Sequence, residues 1–248
     1  MLHFISNIVC AFIPNKSCRD KVRVMIRHPR KVREYVRFAC TFGPNKKQCN
    51  VKTRVGYGCS NFIVILEDKY VFKFPLYGDG REISVREKRI TDEISKVSPI
   101  KIPRMELWQY KDIVVRKYEF ARGMLLTEIK PKIIEKHRNH IAKQIAQFLY
   151  VIGKMNPVAI SDLKSKPNDK PGFLYGWNHG DIGGNFILDP KTFDINFFID
   201  WESAYFGAFE PMLRVASHHW DKFGYRGIIV DVMAEYTKLY FQKRVKQK

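Results

Sequence analysis

The stretch of residues 178–188 constrains this chain more than any other part of its sequence. It reads Asn-His-Gly-Asp-Ile-Gly-Gly-Asn-Phe-Ile-Leu, and the apolar run of residues 195–199 follows it and leads directly into Asp200, Trp201 and Glu202. Short apolar runs bounded by Gly, Asn and Asp are typical of buried strands joined by turns. The pattern therefore predicts buried strands that carry polar side chains on the loops at their ends.

The types and the order of these polar residues suit the transfer of a phosphoryl group. Asp181 can orient a hydroxyl nucleophile and accept its proton. Asn185 and Asp200 offer the hard oxygen ligands that Mg²⁺ prefers, and Mg²⁺ in turn holds nucleotide phosphates. Side chains alternate along a strand, so Glu202 should share a face with Asp200, either as a ligand of a second ion or as a support for the loop. His179 is expected to shape the loop, since Asp181 already fills the position of the base.

A turn without chemistry is the alternative interpretation of the same residues. Asp181 and Asn185 are common turn residues, and a tight turn between buried strands would also explain the glycines. It would not explain why the next strand presents two carboxylates, Asp200 and Glu202.

Before this segment, the sequence changes at about residue 51 to a pattern of short strands. Three strands are predicted, over residues 51–55, 62–66 and 70–74. Gly56 and Gly58 follow the first strand, and a glycine loop lets backbone N–H groups come close to phosphates. Lys73 lies in the middle of an apolar strand, where a charge is costly unless it is paired.

The acid that would pair with Lys73 is expected on a helix predicted over residues 81–95. Glu82, Glu87 and Glu93 are the candidates, and all three could instead lie on a solvent-exposed helical face. Further strands are predicted over residues 105–110 and 113–120, and further helices over residues 131–154, 212–220 and 228–245.

At residues 178–202 the sequence resembles the aminoglycoside phosphotransferase and choline kinase-like family, small-molecule relatives of the protein kinases. The resemblance extends more weakly over about residues 51–216. It implies an α+β, protein-kinase-like fold of two lobes, with ATP and Mg²⁺ bound between them. The expected domains are a basic, partly apolar helical extension (1–50), a small β-rich lobe (51–121) and a larger, mainly helical lobe (122–248).

The resemblance also implies roles for single residues in nucleotide binding. Lys73 matches the lysine that holds the α- and β-phosphates of ATP. Glu87 is chosen as its partner because the family's acid is followed by apolar residues three and seven positions on. Gly56 and Gly58 match the glycine loop, and Glu119 lies in the segment that resembles the hinge, where backbone groups meet the adenine.

Two features depart from the family pattern. The metal-binding Asn usually follows the catalytic Asp by five residues, whereas Asn185 follows Asp181 by four. Gly183 and Gly184 are expected to absorb the shorter loop through their backbone freedom. The family also often carries an Asp at the start of the next helix, and here the corresponding stretch offers either Glu210 or no residue to support the catalytic loop.

The net charge is large and unevenly distributed. The chain of 248 residues carries +19, and its first 54 residues contain thirteen Lys and Arg against Asp20 and Glu34, a net +11. Such a field attracts nucleic acid, an anionic membrane surface or a phosphorylated glycan. A solvated helix surface would look the same. Nucleic acid is the least favoured partner, because no RNA-binding signature is present.

A short apolar face opens the chain and precedes a basic helical region, residues 16–38, that is interrupted near Pro29. The apolar residues recur at helical spacing; they are Phe4, Ile5, Ile8, Val9, Phe12 and Ile13. An apolar face beside a polybasic segment can bind an anionic membrane peripherally. Packing of the same face on the folded lobe is the alternative. No segment reaches the roughly 18 consecutive apolar residues expected of a membrane span.

The five cysteines predict a reducing environment. They are odd in number and contain no Cys-x-x-Cys pair. We therefore expect free thiols in a cytoplasmic protein, with peripheral contact with the cytoplasmic face of the membrane as one option.

Together these features predict an ATP-dependent kinase that moves the γ-phosphate to an alcohol group of a small molecule or a cell-surface glycan. The opening of the chain resembles that of bacterial lipopolysaccharide-core enzymes, which favours a lipopolysaccharide core sugar as the acceptor. An aminoglycoside- or choline-type kinase is the alternative, although a cationic acceptor suits an acidic cleft better than this basic chain. A non-catalytic binding module is a further alternative. The joint presence of Lys73, Asp181, Asn185 and Asp200 argues against it.

Overall fold

The computed structural model describes residues 2–13, 16–27, 29–43, 52–57, 60–164 and 174–245. The chain forms two compact units. Unit 1 comprises Met1–Val85 and Met105–Phe120, and unit 2 comprises Arg86–Arg104 and Ala121–Lys248.

Unit 1 is built on a five-stranded antiparallel sheet. Its strands are β1 (Thr53–Tyr57), β2 (Asn61–Leu66), β3 (Tyr70–Pro75), β4 (Met105–Tyr110) and β5 (Ile113–Glu119). They lie in the order β1-β2-β3-β5-β4, so β3 is the central strand. The predicted strands are confirmed, although β1 runs two residues further than expected and takes in Gly56.

Three helices precede this sheet. They are α1 (Leu2–Ala11), α2 (Lys16–Arg27) and α3 (Pro29–Cys40). The predicted interruption near Pro29 is confirmed, since α2 ends at Arg27 and Pro29 begins α3. Proline suits the first position of a helix, because its missing N–H would have no partner there.

The core of unit 1 lies between α3 and one face of the sheet. Val32, Tyr35 and Ala39 of α3 are buried with apolar side chains of β2, β3 and β5. The ring of Tyr35 stacks on that of Phe74, with ring centroids 4.1 Å apart. Lys73 points to the opposite face of the sheet from Phe74, because side chains alternate along β3.

The cysteines of unit 1 do not all follow the expectation of free thiols. Cys10 and Cys18 are free. Cys40, at the end of α3, is disulfide-bonded, so the prediction is wrong at this position. Cys49 and Cys59 lie outside the described residues.

Unit 2 is mainly helical. Its helices are most of α4 (Arg81–Ile94), which enters the unit at Arg86, then α5 (Pro131–Lys154), α6 (Glu210–Lys222) and α7 (Ile228–Val245). Its strands are β6 (Met124–Leu125), β7 (Tyr175–Asn178), β8 (Phe186–Leu188), β9 (Ile195–Phe198) and β10 (Tyr205–Ala208). One sheet has the order β6-β8-β9, and the other pairs β10 with β7. The predicted α+β class is confirmed.

The long helix α5 forms the centre of the unit 2 core. Its apolar stripe is fully buried, as its spacing predicts, and consists of Ile141, Ile145, Phe148, Leu149 and Ile152. Strand β7 lies against the end of this helix. A Cβ built on Gly176 would stand 2.0 Å from the carbonyl oxygen of Gly153, so only glycine permits this approach. The packing fixes the strand that leads into residues 178–188.

In the described part of the chain, no helix is long and apolar enough to cross a membrane.

Candidate active site

The His-Gly-Asp segment begins directly after β7. Asn178, the last residue of the strand, is fully buried, and its Oδ1 accepts a hydrogen bond from the Gly180 N–H at 3.2 Å. Gly180 adopts a φ of +80°, and a Cβ there would stand 2.1 Å from the carbonyl oxygen of Ser203. A side chain is therefore excluded at position 180 by both conformation and space.

His179 joins this loop to the segment that carries Asp200. Its Nδ1 accepts the Asp181 N–H at 3.2 Å, and its Nε2 lies 2.9 Å from the carbonyl oxygen of Ile199. Because Nδ1 accepts, Nε2 must carry the proton and donate it. Burial lowers the pKa of His179 from 6.5 to about 4, so the imidazole is neutral at pH 7. These contacts agree with the predicted role of shaping the loop.

Asn185 brings the two ends of the site together. Its Nδ2 donates to the Asp181 backbone carbonyl at 2.9 Å and to the Asp181 Oδ2 at 3.4 Å. Its own carbonyl accepts the Ile199 N–H at 3.1 Å. Asp181, Asn185 and the residue before Asp200 are therefore joined in one hydrogen-bonded group. The side-chain amide of Asn185 closes the shortened loop by its hydrogen bond to the Asp181 carbonyl.

The two glycines in the shortened loop do not use the left-handed backbone that glycine permits. Neither Gly183 nor Gly184 has a φ in the left-handed region. Gly183 instead provides room, because a Cβ there would stand 2.6 Å from Nδ1 of His219 on α6.

The segment after β9 also differs from the prediction. The strand ends at Phe198, and Asp200 is left-handed, with φ 68° and ψ 64°. Residues Trp201–Ser203 then form a turn of 3₁₀ helix. The prediction that Asp200 and Glu202 share a face through strand alternation is therefore wrong, since neither residue lies on a strand.

Helix α4 holds this turn, through contacts that the sequence did not reveal. Oε1 of the buried Glu87 accepts the Trp201 N–H at 3.0 Å. The guanidinium of Arg86 donates to the carbonyl oxygens of Glu202, at 3.4 Å, and Ala204. The pairs are 114 to 118 residues apart, so no local pattern could have indicated them.

The support from the following helix comes from another residue than Glu210. Glu210 is exposed, and its carboxylate accepts a hydrogen bond from Arg214 at 2.6 Å. Trp220, at the other end of α6, donates its indole N–H to the Gly183 carbonyl at 2.6 Å. A buried Trp needs such an acceptor, and this is the signal that could have suggested the contact.

The nucleotide-binding candidates of unit 1 lie on the sheet. Lys73 is buried on β3, between the register partners Ile63 and Arg116, and its Nζ lies 5.9 Å from the ring centroid of Tyr118. Arg116 is also buried and donates to the side-chain oxygen of Asn61. Two cationic side chains therefore lie side by side on this face of the sheet.

The glycine and hinge positions are partly described. Gly56 pairs with Ile63 within β1, and Gly58 lies outside the described residues. Glu119 is exposed at the end of β5, where it pairs with Tyr70 of β3. The binding roles of Gly56, Gly58, Lys73, Glu87 and Glu119 stay predictions.

A metal in this site would depend on mixed oxygen donors. Among the described residues, no group of three or more His, Cys, Asp and Glu side chains is arranged to hold a metal ion. The Asn185 amide donates through its nitrogen to Asp181, which leaves its oxygen as an acceptor, and the carboxylate of Asp200 is exposed. Such a set suits Mg²⁺, which keeps several waters and uses one or two carboxylates together with substrate phosphates.

No protein-family model matches the sequence, and no curated protein matches it. Solved structures do match. The GDP complex of aminoglycoside 2'-phosphotransferase-IIIa is 17% identical, with a TM-score of 0.67 over 84% of this chain and 83% of that chain. The streptomycin–ATP complex of APH(2")-IIa is 15% identical, with a TM-score of 0.60 over 82% and 81%. The macrolide 2'-phosphotransferase MphH from Brachybacterium faecium is 10% identical, with a TM-score of 0.58 over 83% and 82%. The chain has the protein-kinase-like fold of the aminoglycoside and macrolide phosphotransferases, with a β-rich amino-terminal part and a mainly helical carboxyl-terminal part.

Proposed function

We propose that this protein is a phosphotransferase that moves the γ-phosphate of ATP to a hydroxyl group of a small molecule. The observation that carries the proposal is the hydrogen-bonded group of Asp181, Asn185 and the backbone of Ile199, the residue before Asp200. The fold supports it, because the similar structures are phosphotransferases, among them complexes with GDP and with ATP.

Asp181 acts as the base in this proposal. The acceptor oxygen attacks the γ-phosphorus, the bond from that phosphorus to the β-phosphate oxygen breaks, and ADP leaves. The hydroxyl proton passes to the Asp181 carboxylate, which is partly exposed and tied to Asn185. A positioned base contributes about 10²–10⁴-fold to the rate.

The remaining residues bind the nucleotide. Lys73, Gly56 and Gly58 hold the phosphates, Glu87 pairs with Lys73, and the backbone at Glu119 contacts the base. Asn185, Asp200 and Glu202 would hold Mg²⁺. When bound, Mg²⁺ neutralises the charge that develops on the phosphates.

Turnover with a panel of acceptors tests the proposal. ATP and GTP are each offered with streptomycin, a macrolide, choline and core oligosaccharides. We expect ADP or GDP to form only with a hydroxyl acceptor present, and we expect Asp181→Asn to lose transfer by about 10²–10⁴-fold while it keeps nucleotide affinity. A normal transfer rate in Asp181→Asn would remove it as the base. Absence of nucleotide binding in the wild type would make the protein a non-catalytic module.

A lipopolysaccharide core sugar is the second candidate acceptor. The fold of antibiotic phosphotransferases favours a soluble small molecule, whereas the +11 charge of the first 54 residues favours an anionic glycan. A core oligosaccharide that already carries phosphate distinguishes the two candidates, because only an anionic acceptor would be attracted by the basic segment. If a phosphorylated core fragment is preferred over streptomycin, and the preference falls with salt, the glycan is the acceptor.

Peripheral membrane binding accompanies this second candidate. Ile5, Ile8, Val9 and Phe12 of the opening apolar face are exposed, which favours the membrane interpretation over packing of this face on the folded lobe. Arg30, Lys31, Arg33 and Arg37 of α3 are exposed as well. We propose that the apolar face and these cations together bind an anionic lipid surface.

Vesicle binding tests the membrane proposal. Wild-type protein should bind phosphatidylserine vesicles at low salt and leave neutral vesicles unbound. The double change Ile8→Ser and Phe12→Ser should weaken binding most at high salt, where apolar contacts dominate. Exposed Val158 of unit 2 is the matched control, and Val158→Ser should leave vesicle binding unchanged. Wild-type protein that ignores anionic vesicles at low salt would refute this surface.

A further inference from the structure

Two neighbouring side chains of α4 hold opposite ends of the turn that follows Asp200. The Glu87 carboxylate accepts the N–H of Trp201, the first residue of the 3₁₀ turn. The Arg86 guanidinium donates to the carbonyl of Glu202, within the turn, and to that of Ala204, just after it. Arg86 and Glu87 thus contact the backbone at three of the four positions 201–204.

The charges match the polarity of the turn. A helical turn leaves unsatisfied N–H groups at its start and unsatisfied carbonyls at its end, so an anion is stabilising at the start and a cation at the end. Glu87 lies at the start and Arg86 at the end. Both side chains are withdrawn from water, Glu87 almost completely, and burial lowers the pKa of the Arg86 guanidinium.

Asp200 is the residue that this arrangement constrains. It precedes the turn and has a left-handed backbone, a conformation that Gly, Asn and Asp adopt more readily than other residues. Ile199, before it, is fixed by His179 and Asn185, and Trp201, after it, is fixed by Glu87. With both neighbours held, the backbone of Asp200 and the direction of its Cα–Cβ bond are fixed.

We propose that Arg86 and Glu87 are positioning residues that hold Asp200 in the conformation in which it binds Mg²⁺. This inference rests on the proposed function, since it concerns the same ion. Arginine is required at position 86 because its planar fork reaches two carbonyls, whereas a Lys ammonium is a single point on a flexible stem.

Substitution of Arg86 should therefore weaken the binding of Mg²⁺. Residues that orient metal ligands typically change metal affinity by about 10–100-fold when they are mutated. In Arg86→Gln, the Mg²⁺ concentration that gives half-maximal turnover should rise by about that factor, while KM for the acceptor stays within about twofold. At saturating Mg²⁺, kcat should recover. A residue that served stability alone would not produce this split.

Arg89 supplies the matched control. It lies on the same helix, and its guanidinium likewise holds a loop, through Asp162 at 2.6 and 2.8 Å and the carbonyl of Ala159 at 2.7 Å. Arg89→Gln should leave the Mg²⁺ dependence unchanged. Arg86→Lys, which retains the charge without the fork, should fall between wild type and Arg86→Gln.

A second measurement keeps the proposal independent of turnover. Hydrogen exchange at the Trp201 amide should accelerate at least tenfold in Arg86→Gln and stay at the wild-type rate in Arg89→Gln. If the wild type has no turnover, the proposed function fails, and exchange alone still decides whether Arg86 holds the turn. If Arg86→Gln shows wild-type Mg²⁺ dependence or wild-type exchange at Trp201, the positioning role is overturned.

Discussion

Lys73 in unit 1 and Asp200 in unit 2 are held in place by different means. Lys73 lies on the central strand of a sheet, and the pairing of β3 with β2 and β5 fixes its direction. Asp200 lies in an irregular segment and depends on single side chains, His179 on one side and Arg86 and Glu87 on the other. A position on a strand should therefore tolerate changes around it, whereas a position in a turn should depend on each of its few contacts.

Nucleotide binding should show the largest difference between the two residues. Lys73→Met removes a charge from an intact strand, so nucleotide affinity should fall by about 1.5–3 kcal/mol both with Mg²⁺ and with EDTA. Asp200→Asn should abolish the gain in affinity that Mg²⁺ provides and leave binding in EDTA unchanged. Calorimetric titration in both buffers measures this. Lys117→Met is the control. Lys117 follows Arg116, the register partner of Lys73, and therefore points to the opposite face of the sheet. Equal Mg²⁺ dependence in the two variants would break the comparison.

The cost of replacing a left-handed glycine by alanine can be compared between the two units. Gly180→Ala should destabilise the protein by about 3 kcal/mol, because the new Cβ meets both an unfavourable φ and the Ser203 carbonyl at 2.1 Å. Gly78 in unit 1 has a φ of +59°, and a Cβ built there meets nothing within 4 Å. Gly78→Ala should therefore lower the free energy of unfolding by about 1 kcal/mol. Urea denaturation gives both values. Equal costs would mean that the loop moves away from Ser203 freely.

The buried His179 should make stability depend on pH. Its pKa in the folded protein, about 4, is below the ordinary 6.5, so the unfolded chain binds the proton more readily between these values. Stability is therefore complete above pH 6.5 and falls as the pH drops towards 4, with a loss on the order of 2 kcal/mol at pH 5.

Comparison of the unfolding free energy at pH 7 and pH 5 measures this effect. His179→Gln should remove most of the difference, and His218→Gln, which changes an exposed histidine, is the control variant. A wild-type protein equally stable at both pH values would show that His179 titrates normally.

The smallest effects concern α6. Trp220→Phe leaves the carbonyl of Gly183 without its indole donor and should cost about 1 kcal/mol. Glu210→Ala breaks an exposed pair with Arg214 and should cost less than about 0.5 kcal/mol. Thermal unfolding distinguishes them. A larger loss of stability in Glu210→Ala than in Trp220→Phe would indicate that Glu210 does support the catalytic loop.

The predictability of each site residue follows the same division. The strand that carries Lys73 and its burial were predictable, because alternation and hydrophobic periodicity are local properties. The functional types of the residues at positions 181, 185 and 200 were recognisable as well, since all three lie within one short stretch of sequence. The left-handed turn at Asp200 was not predictable, because its contacts with Arg86 and Glu87 join distant parts of the chain. Trp220 was missed for the same reason, while Glu210 was considered only because of its place in the family pattern.

The distance along the chain between Glu87 and Trp201 also has a consequence during synthesis. The two residues are separated by 114 positions. At the usual 5–20 residues per second, the ribosome takes roughly 6–23 s to make the chain between them. For that interval α4 carries an acid and a guanidinium whose backbone partners do not yet exist, and water must solvate them. The turn at Asp200 is therefore among the parts of unit 2 that form late, after most of the protein has already left the ribosome.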